Sequence, residues 1–157
     1  MRNKRSGRIP GVVLLAAFTL AVLFWPRKFS RFAHTDQAEA LYVSAFDKRA
    51  GMSRYDAAVQ PEEMDQVLTL LNHGRLWWSG VTWRQITYSA QREYAVTVVY
   101  QNDVRPYARF LLLSDGTVFT EDDQGFFTRY WLTGCDMEAV DGLLWDLTGG
   151  QNPEAKR

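Results

Sequence analysis

An uncharged apolar stretch near the start, fenced by positive charge on both sides, limits this chain more than any other feature. Residues 9–26 contain no ionisable side chain, and within them residues 12–25 read Val-Val-Leu-Leu-Ala-Ala-Phe-Thr-Leu-Ala-Val-Leu-Phe-Trp. As a helix, 9–26 covers roughly 27 Å, close to the ~30 Å of a bilayer's hydrocarbon core. Arg2, Lys4, Arg5 and Arg8 precede it, Arg27, Lys28 and Arg31 follow, and no acidic residue occurs before Asp36. Such cations snorkel into the two headgroup layers, and Trp25 suits an interface. Pro10 fits a first helical turn and Pro26 ends the helix.

Three readings of this stretch compete. A membrane anchor accounts for the flanking charge and for the lack of a polar side. A cleaved signal peptide needs small residues at its cleavage site, whereas Pro26-Arg-Lys-Phe-Ser-Arg-Phe-Ala33 is bulky and basic there. A buried core helix needs a folded layer on every side of it. A lipoprotein signal is excluded, because it requires a Cys just after the apolar run and the sole Cys is Cys135. The anchor fits best. Positive charge is slightly greater before the segment than after it, which favours a cytoplasmic N-terminus and an extracytoplasmic body.

The formal net charge of zero hides a split. With seven cations in the first 31 residues, residues 32–157 hold the other 11 and all 18 carboxylates, a net of −7. An acidic body is unsuited to polyphosphate, so nucleic acid is not an expected partner. At 46% hydrophobic and 14% aromatic residues the body is too apolar for disorder. A single Cys excludes an internal disulfide framework and any multi-Cys metal site.

Along the body, 27–38 reads as a juxtamembrane linker and 41–46 as a first strand, followed by a polar stretch over 47–55. A helix begins at Gln60-Pro61, with Glu62, Glu63 and Asp65 at the positive end of its dipole. Met64, Val67, Leu68 and Leu71 share one face, and Gly74 terminates it. Period-two alternation then predicts strands over 81–89, 93–100, 107–113, 118–120 and 126–132, with Ser114-Asp115-Gly116-Thr117 as a tight hairpin. Thr133 and Asp136 resemble a capping box for a second helix bearing Met137, Val140, Leu143, Leu144 and Leu147, with Gly149 and Gly150 closing it. The expected organisation is a basic start (1–8), an anchor (9–26), a linker (27–38), an α+β ectodomain (39–150) and a polar tail (151–157). Within the ectodomain, an antiparallel meander of four to five strands packs in two layers with two amphipathic helices.

Chemistry-bearing motifs are sparse. No glycine-rich phosphate loop is present. His34 and His73 have no second ligand at helical spacing, and the hairpin tip Glu121-Asp122-Asp123 lacks the alternating oxygen ligands of a calcium loop. Ser79, Ser89 and Ser114 lie in no nucleophile-elbow context. Cys135 sits at a helix start, but Asp136 and Glu138 oppose a thiolate. The expectation is therefore no catalytic residue, no metal and no cofactor, with an envelope hydrolase as the enzymatic alternative.

Aromatic residues lean toward recognition instead. Trp77-Trp78, Trp83, Tyr88, Tyr94, Tyr100, Tyr107, Phe126-Phe127 and Tyr130-Trp131 crowd the strands. Neighbours on a strand point to opposite faces, so one ring of each adjacent pair turns away from the helices. These rings either cover the second sheet face or contact a glycan, peptide or protein. Trp77, Trp78, Tyr130 and Trp131 are the candidate binding residues.

The order of a charged start, an apolar span, a Pro-Glu-Glu helix, a meander with Ser-Asp-Gly-Thr and a closing helix resembles small, uncharacterised membrane-anchored envelope proteins of Gram-positive bacteria. That resemblance implies an envelope location and assigns no site residue. Together these features predict a single-pass anchored protein whose non-enzymatic ectodomain binds an envelope protein or glycan. An accessory or inhibitory subunit of a membrane enzyme or transporter is the alternative.

Overall fold

A computed structural model describes residues 11–82, 90–101, 106–122 and 125–149. The basic start, the strand expected over 83–89 with Trp83 and Tyr88, the turn at 102–105, Asp123, Gly150 and the polar tail lie outside the described residues.

Helix α1 (Gly11–Leu23) stands at the front of the chain. A two-residue strand β1 (Arg27–Lys28) and a single helical turn α2 (Phe29–Phe32) lead into β2 (Ala38–Asp47) and β3 (Met52–Ala58). Helix α3 (Pro61–Asn72) precedes β4 (Arg75–Thr82), β5 (Arg92–Tyr100), β6 (Tyr107–Leu113), β7 (Thr117–Glu121) and β8 (Phe127–Thr133). Helix α4 (Met137–Gly149) closes the fold. All eight strands form one antiparallel sheet in the order β1-β4-β8-β7-β6-β5-β2-β3.

The α+β class and the meander β5–β8 match the expectation, but among the described residues the sheet has eight strands rather than four to five. The two strands that no sequence pattern marks, β1 and β3, are the two edges of the sheet. The hairpin β2–β3 extends the meander beside β5, and β4 with β1 extends it beside β8. Strand β3 begins inside the polar stretch over 47–55, where no apolar alternation marks it; its pairing with β2 makes it a strand. Strand β4 begins at Arg75 rather than at 81, drawn into register by Trp77↔Trp131 and Trp78↔Tyr130.

One face of the sheet is the core. Leu41, Val43, Tyr94, Val96, Val98, Phe110, Leu112, Leu76 and Leu132 meet Val67 and Leu71 of α3 and Val140 and Leu144 of α4. The Gln60 N–H donates back to Glu63 Oε2 (3.3 Å), so α3 starts where the Pro-Glu-Glu pattern places it. At α4 the cap is Asp136, whose Oδ1 accepts the Ala139 N–H (3.1 Å), rather than a box begun by Thr133. In the β6–β7 hairpin Gly116 alone takes a positive φ (84°), and the Asp115 carboxylate accepts the Thr117 N–H (2.9 Å). A side chain at Gly116 would also meet the Leu132 carbonyl oxygen, which explains the glycine.

The stretch that read as a linker is folded into the body. Strand β1 pairs with Arg75 and Leu76 of β4, and the Phe29 N–H donates to the Gly74 carbonyl (3.1 Å). Phe29 and Ala33 are fully buried, and the Tyr100 hydroxyl donates to the Ala33 carbonyl (2.6 Å). Phe29, Phe32 and Ala33 stand at helical spacing, so one turn suffices to put all three against the core.

Candidate functional site

Helix α1 is exposed from Gly11 to Val22 on every side. Val12 is 75% exposed and Phe18 69%, and Trp25 just beyond the helix is 71% exposed. The hydroxyl of Thr19 donates to the Leu15 carbonyl (2.9 Å), so the only polar side chain of the helix is satisfied within it. At 13 residues the helix is about 20 Å long. No helix among the described residues is long and apolar enough to cross a membrane.

Below α1 the aromatic patch begins. Phe24 meets Trp78 edge to face, with ring centroids 5.0 Å apart. The four candidate binding residues come together as two cross-strand pairs on opposite faces. Trp78 and Tyr130 lie on the same face as Leu76 and Leu132, and Tyr130 packs on Phe32 at 5.3 Å. Trp77 (46% exposed) and Trp131 (38%) lie on the other face. There the Trp77 indole N–H donates to the Thr133 hydroxyl (3.1 Å), and the Arg129 guanidinium stacks 4.7 Å over the Trp131 ring. A small second cluster of Ala90, Leu113 and Phe119 occupies this face nearby.

A polar clasp that no local pattern signals joins the end of β2, the start of β5 and the side of α4. Arg92 bridges the Asp47 carboxylate (3.3 Å) and the Asp141 carboxylate (2.9 Å), with its guanidinium 4.3 Å from the Trp145 ring. The Tyr94 hydroxyl donates to Asp141 Oδ1 (2.6 Å). The Ala50 N–H holds the Asp47 carboxyl below the usual carboxylate range against the opposing cost of burial, helped by Gln91, Arg92 and the Arg49 N–H. Burial, then Asp141, pushes the Tyr94 hydroxyl far up, so it stays a donor. Both carboxylates are thus occupied by a cation and by N–H or O–H donors, an arrangement that fastens helix to sheet.

The other residues singled out in the sequence are separate. Cys135 is half-buried with Sγ 3.5 Å from Met137 Sδ, and burial, opposed by a backbone contact and aided by Asp136, raises its thiol. His34 is exposed in a left-handed turn and His73 caps α3. The Asp122 carboxylate accepts the Phe126 N–H (2.9 Å) in the β7–β8 turn. Among the described residues no three His, Cys, Asp or Glu side chains gather as metal ligands.

A third feature is a cleft of about 590 Å³ at the foot of α1, lined by Trp25, Arg27, Lys28, Arg31, His34 and Arg75 among others. The fold and these features define an α+β domain with an exposed apolar helix at its front and an aromatic, basic junction between the two. Searches against known protein families, curated proteins and solved structures find no match for the chain.

Proposed function

We propose that this chain is a single-pass membrane-anchored protein of the cell envelope, with residues 9–26 in the bilayer, a cytoplasmic N-terminus and a non-enzymatic extracytoplasmic domain that binds a partner protein. The carrying observation is α1: a folded body that leaves an uncharged apolar helix exposed from Val12 to Val22 needs another apolar phase to receive it. The helix supplies part of the span and the uncharged residues around it the rest. Tethering raises the effective concentration of the domain near partners in the same membrane, so weak contacts become useful. Trp77 and Trp131 offer rings on the face away from the helices, and Trp78 and Tyr130 continue the patch toward the anchor.

In cells, full-length protein is expected to stay in the membrane fraction through an alkaline wash, and protease added outside is expected to remove a C-terminal epitope tag. Recovery of intact protein in the soluble fraction would overturn the anchored reading. For the binding face, Trp77→Ala with Trp131→Ala is expected to weaken crosslinking to a membrane partner on intact cells. Thermal stability should fall by no more than about 0.5–1.5 kcal/mol, the worth of one exposed aromatic pair. A collapse of stability would instead assign the pair to packing.

One observation favours the accessory-subunit alternative. Strand β1 covers β4 only at Arg75 and Leu76, so among the described residues the outer edge of β4 continues past its partner toward Thr82. A strand added there would pair through main-chain hydrogen bonds. Stable co-purification of an enzyme or transporter, abolished by a proline at Val81, would favour that reading.

A further inference from the structure

The cleft at the foot of α1 concentrates positive charge that the fold does not neutralise. Arg27 and Lys28 come from β1, Arg31 from α2 and Arg75 from β4. Backbone pairing fixes them together, since Lys28 sits opposite Arg75 in the ladder and Arg27 opposite Leu76. Among the described residues none of the four pairs with a carboxylate, although the body carries a large acidic excess. Holding like charges together costs free energy that a bound anion recovers.

We infer that this cleft holds the phosphate of an anionic phospholipid headgroup in the leaflet that α1 enters. The inference rests on the anchored reading above and gives that anchor a specific lipid. Only Phe24, Trp25 and Pro26 separate α1 from β1, and three residues span at most about 10 Å. Strand β1 is in turn locked to β4, and Phe29 to the core, so the cleft cannot swing away from the end of the helix. It is therefore held at headgroup depth. Its volume of about 590 Å³ accommodates a whole headgroup, and the exposed Trp25 ring forms a wall suited to the polar–apolar boundary.

The test uses the full chain reconstituted into vesicles of four parts phosphatidylcholine to one part phosphatidylglycerol. After extraction in neutral detergent, retained lipid is counted by native mass spectrometry. Wild type is expected to retain phosphatidylglycerol selectively. Arg31→Gln with Arg75→Gln, which leaves the two residues nearest the anchor in place, is expected to lower that selectivity about tenfold or more. Arg49→Gln with Arg109→Gln removes two exposed cations outside the cleft and should leave it unchanged. Equal retention by wild type and the cleft variant, or an equal fall in the control pair, overturns the inference. So does inorganic phosphate stabilising the protein in pure phosphatidylcholine as much as phosphatidylglycerol does, which would assign the cleft to a free anion. Flotation with uncharged phosphatidylcholine vesicles reads the anchor alone: failure there overturns the anchored reading, whereas flotation without lipid selectivity overturns only the cleft.

Discussion

Phe29→Ala is expected to destabilise the folded domain by about 3–5 kcal/mol, the usual cost of emptying a buried phenylalanine site. That is a large part of the roughly 5–15 kcal/mol that holds a domain together, and corresponds to a melting point lower by about 10–20 °C. The side chain has no exposure at all, meets Phe110 edge to face at 5.5 Å and touches Phe32 at 6.2 Å. Its neighbours come from the sheet and from its own helical turn, so the cavity has little freedom to collapse. Phe18→Ala on α1 is the control: that ring is 69% exposed and its loss should leave the melting point of the detergent-solubilised protein unchanged. Equal melting of Phe29→Ala and wild type would show that 27–38 is the flexible tether its basic composition suggests. A large loss would mean that the folded domain takes in the residues from Arg27 onward. A rigid junction then keeps the aromatic patch and the basic cleft in one arrangement relative to the core.

That junction was the least legible part of the chain, and the reason is physical. Arg27, Lys28 and Arg31 surround Phe29 and Phe32, so charge density suggests a solvated tether. The apolar spacing of Phe29, Phe32 and Ala33 is a real helical signal, but one turn is too short to stand out from its neighbours. Elements whose stability is written in their own residues were legible. Helix α3 has its proline, acidic first turn and one apolar face within twelve residues, and β5 alternates cleanly from Tyr94 to Tyr100. Edge strands depend on what they pair with. Met52–Ala58 extends because β2 offers it a ladder, and Arg27–Lys28 because Arg75 and Leu76 are free on their outer side. For the candidate site, the adjacent rings at 77–78 and 130–131 drew attention by composition alone. Their register opposite one another, and Phe24 resting on Trp78, came only with the sheet. The clasp was invisible for the same reason: Arg92 lies 45 residues from Asp47 and 49 from Asp141.

The clasp carries the second large effect. Asp141→Ala is expected to cost about 1.5–3 kcal/mol, because the Tyr94 hydroxyl and the Arg92 guanidinium each lose a hydrogen bond to a charged acceptor. The buried Tyr94 hydroxyl falls back on the main-chain carbonyl of residue 141, which it also meets at 3.0 Å, and Arg92 keeps Asp47 and the Trp145 ring. Asp141→Asn keeps an oxygen for the Tyr94 hydroxyl but gives up the charge and sets an amide NH2 where Oδ2 accepts from Arg92, so it should cost less than Asp141→Ala by the worth of the Tyr94 bond. Urea unfolding at neutral pH separates the two variants, and equal costs would mean that charge rather than the Tyr94 bond holds α4 to the sheet. Acid acts through the other arm. The folded state lowers the Asp47 pKa, so its stabilising contribution is present above the ordinary aspartate value of about 3.9 and is lost as pH falls through the lower folded value. Asp47→Asn should therefore flatten the stability profile below about pH 4 while leaving its shape at higher pH intact. A profile as steep in that variant as in wild type would place the acid-sensitive group elsewhere. If both arms behave as expected, the clasp fixes α4 across β2 and β5 at the end of the sheet remote from β1. The domain is then pinned at both ends, by Arg92 at one and by Phe29 at the other.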